Sequence, residues 1–473
     1  MPTPLTALIS PPLYPAAAIH AMEMAWQAAH PDDALMEKAG LAAADFAASL
    51  AQDTGTPVLV LAGPGNNGGD ALVAARLLAA RGFRVLVLAS CADPARLPPD
   101  AARAHAAWKA AGGSYAPAFP AGQPFSLVID GLFGVGLARA VSGIEAAWIA
   151  EANALACPRL ALDVPSGLDA DTGSVRGIAL RADATLTFLG AKPGLLTADG
   201  PDHTGEIFVD TLGVDATEAP GFALTRLEPR HQLPPRRRNS HKGDFGHVGI
   251  VGGTPGMVGA ALIAGRAALA HGAGLVTLGV LDARVAVDYG EPRLMFAPPE
   301  NLVGQALTAL AIGPGLGQAT PAHALLETAL AVPCPLVLDA DALNLLAGDT
   351  ALAKAAARRT APTLLTPHPG EAARLLGRDT AAVQADRIAT ATLLATRFNA
   401  HVALKGAGTV IAPPQGRYAL NTTGGPHLAQ AGSGDRLTGL VAALLAQGMA
   451  TGDALEAAVW RHGSEPPIPS AAP

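Results

Sequence analysis

Residues 58–82 spell out one order, strand, glycine turn, helix: the unbroken apolar run VLVLA meets GPGNNGGD and then the alanine-rich ALVAARLLAARG. A run without polar alternation suits a strand covered by helices on both faces, as in a parallel sheet. The pattern recurs. VLVLA (85–89), LVID (127–130) and LALDV (160–164) predict further strands, with helices over 33–51, 70–81, 99–111 and 143–156. Between Gly213 and Gly243 the periodicity stops, and Pro220, Pro229, Pro234 and Pro235 accompany charged residues, which predicts a linker. A second series follows: HVGIVGG (247–253), a helix over 258–272, LVTLGV (275–280), LAIG (310–313), LVLDA (336–340), TLLTP (363–367), HVALKG (401–406) and TVIAP (409–413). Its final strong element is a helix from Asp435 to Gln447. The expected fold class is α/β, two successive three-layer αβα domains spanning 1–224 and 225–473.

Composition agrees with two cores. The 473 residues exceed the roughly 250–300 at which one hydrophobic core stops growing. Hydrophobic residues make up 50% and charged ones 15% of the chain, which argues against global disorder. A net charge of −7 and a single short basic run, Arg236-Arg237-Arg238, give no nucleic-acid patch, and the run reads as solvated linker. Cys91, Cys157 and Cys334 stand alone, without CxxC or paired-histidine spacing, which argues against a disulfide framework or zinc site and fits a reducing cytoplasm. Residues 1–29 lack a basic region before an apolar core, and no long apolar stretch is free of charge, glycine and proline, so neither export nor a membrane partner is expected.

Gly63, Gly65 and Gly68 meet the spacing of a dinucleotide-binding loop, yet the next strand ends in Ser90-Cys91 instead of an acidic residue that would hold a ribose. That disfavours plain NAD-linked oxidoreduction. The turn carries Asn66, Asn67 and Asp70 instead, with capping of the helix the structural alternative for Asp70. Asp130 in DGLFGVGLAR, and Asp163 with Ser166 in LDVPSGLDADTG, end two later strands. One crevice at the carboxyl ends of the strands should therefore gather these groups.

The second half opens with NSHKGDFGHVGIVGGTPGMVGAALIAG and continues through AIGPGLG (311–317), LDADALN (338–344), TPHPGE (366–371), LKGAGTVI (404–411) and AGSGDRLTGLVAALLAQG (431–448). Gly432, Ser433 and Gly434 directly precede a helix, so their amides and the positive helix end form an anion site with Asp435 beside it as a base. A carboxylate next to such a loop is what phosphoryl transfer to a hydroxyl requires.

GPGNNGGDALVAARLL, DGLFGVGLAR, DVPSGLDADTG and TFLGAKPGL, in this order and spacing, resemble the NAD(P)H-hydrate epimerase family, the YjeF amino-terminal domain with its Rossmann-like fold, over residues 12–215. The set from HKGDFGH to AGSGD resembles the NAD(P)H-hydrate dehydratases, which are ribokinase-like, over residues 236–463. The first resemblance implies that Asn66, Asn67, Gly68, Gly69, Asp70, Gly134, Val135, Gly136, Leu137, Ala138, Arg139, Ala140 and Asp163 contact the hydrated nicotinamide nucleotide. It implies a potassium ion held through Asn67, Asp130 and Ser166, and an acid–base pair of Asp163 and Lys192, for which a mere surface lysine is the alternative. The second implies that Ala260, Gly317, His368 and Asp435 surround the hydrated nicotinamide, and that Lys405, Gly406, Ala407, Gly408, Thr409 and Gly434 hold ADP with its magnesium. For His368 the alternative is a plain loop histidine.

The activity implied is nicotinamide nucleotide repair by a bifunctional isomerase and lyase: the R and S forms of hydrated NADH and NADPH are interconverted, and the S form is dehydrated as ADP becomes AMP and phosphate. A homo-oligomer, a tetramer by family resemblance, is expected. The sequence departs from the family at Gln430 and Arg436, where the arginine either pairs with Asp435 and weakens it or touches a phosphate, and at the end SEPPIPSAAP, where the family continues. The expectation from the latter is a second domain short of a terminal helix. Competing readings are a ribokinase-like kinase of a vitamin precursor, an active epimerase joined to an impaired dehydratase, and a nucleotide-binding scaffold with decayed sites.

Overall fold

The computed structural model describes residues 2–8, 11–51, 53–120, 122–214, 224–226 and 236–465. Most of the linker expected between Gly213 and Gly243 lies outside the described residues, as does the end of the chain beyond Glu465. The chain divides into two compact units, Met1–Thr225 and Arg226–Pro473.

In the first unit the strands lie in the order Thr3–Pro4, Glu206–Asp210, Ala184–Phe188, Arg159–Leu162, Leu127–Gly131, Val58–Ala62 and Val85–Ala89, all parallel except the first. The unbroken apolarity of VLVLA has its cause here. Val58, Val60 and Ala62 pack into one core with the helices Leu35–Leu50, Asn66–Ala80 and Pro99–Ala110, while Leu59 and Leu61 pack into another with Trp148 and Ile149 of Gly143–Ala154. Both faces are dry, so neither parity of the strand can be polar. The chain runs from Val58–Ala62 to a strand on one side and then crosses to Leu127–Gly131 on the other. That reversal of winding opens a crevice between the carboxyl ends of two neighbouring strands, with Ala62 in register with Gly131.

The second unit repeats the plan. From Met295–Phe296 its strands run through Leu275–Val280, His247–Gly252, Ala309–Ile312, Leu336–Leu338 and Thr363–Leu365 to His401–Leu404 in parallel, followed by the antiparallel Val410–Ala412 and Ala419–Leu420. Its reversal lies between His247–Gly252 and Ala309–Ile312, whose loops are joined by Gly253 N to Pro314 O (2.9 Å) and Thr254 N to Gly315 O (2.7 Å).

Two expectations are corrected. The helix expected from residue 70 begins at Asn66, so NNGG is its first turn, and Gly65 is its cap, not Asp70. A helix that the sequence reading leaves unassigned, Thr451–Ser464, follows the one from Ser433 to Ala446 and buries Ala454, Leu455, Ala457, Ala458 and Val459. The run Arg236-Arg237-Arg238 is exposed, as expected, and the Arg236 guanidinium also donates to Gly272 O (2.7 Å) and Gln447 Oε1 (3.0 Å) and stacks 3.8 Å from the Phe245 ring. No described helix is long and apolar enough to cross a membrane.

Candidate functional site

In the first unit three strand ends converge. The helix starting at Asn66 runs close to the turn before it because Gly68 has no side chain: a Cβ there would lie 2.1 Å from Gly63 O. This brings the buried Asn67 over the crevice, where its Nδ2 donates to Phe133 O (3.0 Å) and Leu162 O (3.1 Å). Its Oδ1, also buried, has no partner. Asp130, wholly buried at the end of its strand, accepts from Ser166 Oγ (2.6 Å), Ser166 N (2.8 Å) and Leu132 N (3.2 Å). Burial still pushes its carboxyl up to about 6 against those hydrogen bonds. An unpartnered amide oxygen, a hydroxyl and a desolvated carboxylate form a set of hard oxygen donors that fits the potassium ion expected for Asn67, Asp130 and Ser166.

Asp163 follows the neighbouring strand with φ of 64°, a left-handed conformation that aspartate tolerates better than most residues. It turns its carboxylate back toward the crevice, where Oδ2 accepts from Val135 N (3.3 Å) and Oδ1 is paired with Lys192 Nζ. Lys192 is no surface lysine. It is fully buried, and its other protons go to Thr187 Oγ1 (2.9 Å) and Phe188 O (2.8 Å). Val135 ties the loop Gly134–Ala140 to this pair, and Gly134 must be small because a Cβ would lie 2.9 Å from Asp163 Oδ2. Gly136, Ala138, Arg139 and Ala140 of that loop are exposed, as is Asn66, whereas Gly68 and Gly69 are buried, against Gly63 and against Met36 and Ala101. Two further acids face the pair. Asp70 is raised well above the usual carboxylate range by burial and by Asp163 and Glu23. Glu23, on the helix Ala16–Ala29, is raised by burial and Asp163, with Lys192 opposing.

In the second unit Asp435 lies in the first turn of Ser433–Ala446, capped by Gly432 with φ of 85°. Burial and then Asp339 push its carboxyl up to about 6, with Lys405 pulling down. Lys405 ends the strand His401–Leu404 and donates to Asp339 Oδ1 (2.9 Å). Gly406, Ala407, Gly408 and Thr409 complete the antiparallel turn, with φ of 141° at Gly406 and 60° at Gly408 and a Thr409 Oγ1 to Gly406 O bond of 3.1 Å. Beneath that turn the buried Arg387 donates to Leu404 O (3.1 Å) and Lys405 O (3.2 Å).

His368 is neither free nor a plain loop residue: it caps the helix Pro369–Leu376, its Nδ1 accepting from Gly370 N (3.0 Å) while Glu371 Oε2 accepts from His368 N (2.7 Å). Gly317 N donates to Asp341 Oδ2 (2.8 Å), and Asn344 links Asp341 (3.3 Å) to Arg374 (2.8 Å) on the His368 helix. Ala260 sits across from this loop, 3.3 Å from where a Cβ of Gly315 would stand.

Residues 32–194 match the family model described as YjeF-related protein N-terminus, and residues 248–465 that of NAD(P)H-hydrate dehydratase. The bifunctional NAD(P)H-hydrate repair enzyme Nnr of Escherichia coli (strain K12) is 39% identical over 91% of this chain and 84% of its own length. The enzyme of that name from Coxiella burnetii is 38% identical over 90% and 88%. The chain belongs to the bifunctional NAD(P)H-hydrate repair enzyme family. Among solved structures, the ADP/ATP-dependent NAD(P)H-hydrate dehydratase from Bacillus subtilis, co-crystallised with ATP and magnesium, is 33% identical with a TM-score of 0.43 over 49% of this chain and 83% of its own. Membership in the repair family displaces the vitamin-precursor kinase reading.

Within the YjeF-related half, Glu23 lies in no motif, and Thr187, although it opens TFLGAKPGL, has no role in the sequence reading. Within the dehydratase half that reading quoted LDADALN and TPHPGE without giving Asp339 or Glu371 a role, and it missed Thr438, whose hydroxyl donates to Asp339 Oδ2 (2.7 Å). Glu371, buried, is raised by desolvation although Lys405 opposes. Arg436 is paired with Glu465, whose other oxygen lies 2.7 Å from His271 Nε2, and not with Asp435.

Proposed function

We propose that this chain repairs hydrated NADH and NADPH in two steps, one in each unit. In the first, the hydroxyl on the ring carbon beside nitrogen is inverted. Asp163 and Lys192 exchange the protons that let that hydroxyl, or the ring, open and close. Asn67, Asp130 and Ser166 would hold a potassium ion, which would supply a fixed positive charge to orient the nucleotide. Asn66, Gly68, Gly69, Asp70 and the loop Gly134–Ala140 line its seat.

In the second unit Asp435 takes the proton of the hydroxyl on the S form as that oxygen attacks the terminal phosphorus of magnesium-bound ADP, and AMP departs. The amides of Gly432–Gly434 at the helix start face the transferred phosphoryl group, and Lys405, Gly406, Ala407, Gly408 and Thr409 hold the nucleotide. The ring nitrogen then expels phosphate, and loss of a proton from the adjacent carbon restores the dihydropyridine. Ala260, Gly317 and His368 border the nicotinamide. We also propose a cytoplasmic homo-oligomer; free Cys91, Cys157 and Cys334 suit a reducing compartment.

The observation that supports this reading most is a carboxylate beside a lysine, at a strand end in the first unit and a helix start in the second: Asp163 with Lys192, and Asp435 within the field of Lys405. A mixture of both epimers supplied with magnesium and ADP, with ATP in parallel, tests it by NADH fluorescence. Recovery of the whole mixture is expected. Recovery stopping at the S fraction would refute the first step, and no recovery would refute the second.

A further inference from the structure

Asp339 ends the strand Leu336–Leu338 with 1% of its surface exposed, a position where a charge needs partners. It has three. Lys405 Nζ (2.9 Å) and Thr366 Oγ1 (2.8 Å) donate to Oδ1, and Thr438 Oγ1 (2.7 Å) donates to Oδ2. Thr366 and Lys405 end the next two strands, while Thr438 stands one turn after Asp435 on the same helix. The residue that follows, Ala340, has φ of 48° and ψ of −116°, a conformation that a side chain makes costly and that persists only where its surroundings impose it. Lysine and carboxylate both reach the neighbour of Asp435: a Cβ on Gly434 would stand 3.3 Å from Lys405 Nζ and 3.9 Å from Asp339 Oδ2.

We propose that Asp339 is a positioning residue for the dehydratase site: by engaging Lys405 and Thr438 it anchors the helix that carries Asp435 and keeps the lysine from becoming that carboxylate's ion-pair partner. This rests on the reading of Asp435 as the base.

The groups around Asp435 give the sign of the effect. Asp339 and Lys405 face it from the strand ends, with Glu371 and His368 behind them on Pro369–Leu376 and coupled to both. From the helix Thr451–Ser464, His462 is held down to about 4, chiefly by burial, and is neutral. Arg266, on the packed helix Val258–Ala270, is engaged by Asp288, and Arg436 by Glu465. Removing the Asp339 charge therefore takes away one influence that raises Asp435 and frees the lysine that lowers it. Both changes make Asp435 a weaker base that stays ionised at lower pH.

The test is kcat/KM of the full chain for the S form of hydrated NADH with magnesium and ADP, followed by NADH fluorescence across the acid range. In Asp339→Asn the acid limb should move down by about one pH unit and the plateau fall about tenfold, with Asp339→Glu returning the limb toward its native position. If the asparagine variant does not fold, Asp339→Ser, which keeps a hydroxyl for the lysine, is read the same way. A folded variant whose acid limb stays at the native pH, whatever its rate, overturns the proposal. A native chain inactive on the S form overturns the reading of Asp435 itself, before any variant is made.

Discussion

The two units use the same pair of residue types in opposite ways. In the first, lysine and aspartate touch: Lys192 is bonded directly to Asp163 and wholly buried. In the second, Lys405 is bonded to Asp339, and Asp435 is left as a half-buried carboxylate raised to about 6. A direct pair sets a proton donor and a proton acceptor side by side, which suits a reaction that returns its substrate to the same bond pattern. A carboxylate without a bonded cation is the stronger base, which suits one-way removal of a hydroxyl proton.

Lys192→Met should produce the largest effect, because it leaves Asp163 buried and unpaired. Epimerisation should fall below detection, and the first unit should lose about 3–5 kcal/mol, as when one partner of a buried ion pair is removed. Recovery of the R form and thermal unfolding measure the two losses; a variant of native stability would mean that the contact is looser than described. Next comes Asp435→Asn, expected to slow dehydration by about 10²–10⁴-fold, the usual worth of a general base. Interconversion of the epimers in the same variant should stay native, and its loss would mean that the units do not act separately.

The third prediction concerns pH. A base that titrates near 6 loses its active form as pH falls, so dehydration of the S form should drop about tenfold for each unit below that point. A rate flat down to pH 5 would remove the contrast with the first unit. Smallest is Arg436→Val. Its partner is Glu465, not Asp435, and a partly exposed ion pair contributes about 0–1 kcal/mol, so dehydration should change less than about twofold.

Much of this was legible in the sequence where burial acts on every residue of a strand. VLVLA at 58–62 and 85–89 and LVTLGV at 275–280 have the predicted bounds, because a strand dry on both faces cannot hide its apolarity. Asn66–Gly69 misled for a tertiary reason. Two asparagines and two glycines read as a turn, and they are helical only because Gly68 can lie against Gly63. The helix Thr451–Ser464 carries Gly452, Gly463 and Ser464 and a weak apolar stripe, so its packing, not its propensity, makes it. The placement of Asp163 beside Lys192 and of Asp435 at a helix start was legible because each sits within a motif. Asp339 lay in a quoted motif and still showed no role, since its partners at 366, 405 and 438 are neighbours only in space.

The guanidinium of Arg387 under the turn that follows Lys405 bears on how the nucleotide seat proposed there would capture its ligand. By gripping the carbonyls of Leu404 and Lys405, it fixes the turn's shape during folding, before any ligand arrives. Ordering a backbone residue costs about 1–2 kcal/mol in conformational entropy, and here that loss is incurred once, by the chain alone. If the nucleotide binds there as proposed, it meets a turn already ordered, so weakening this support should slow its capture and hasten its release.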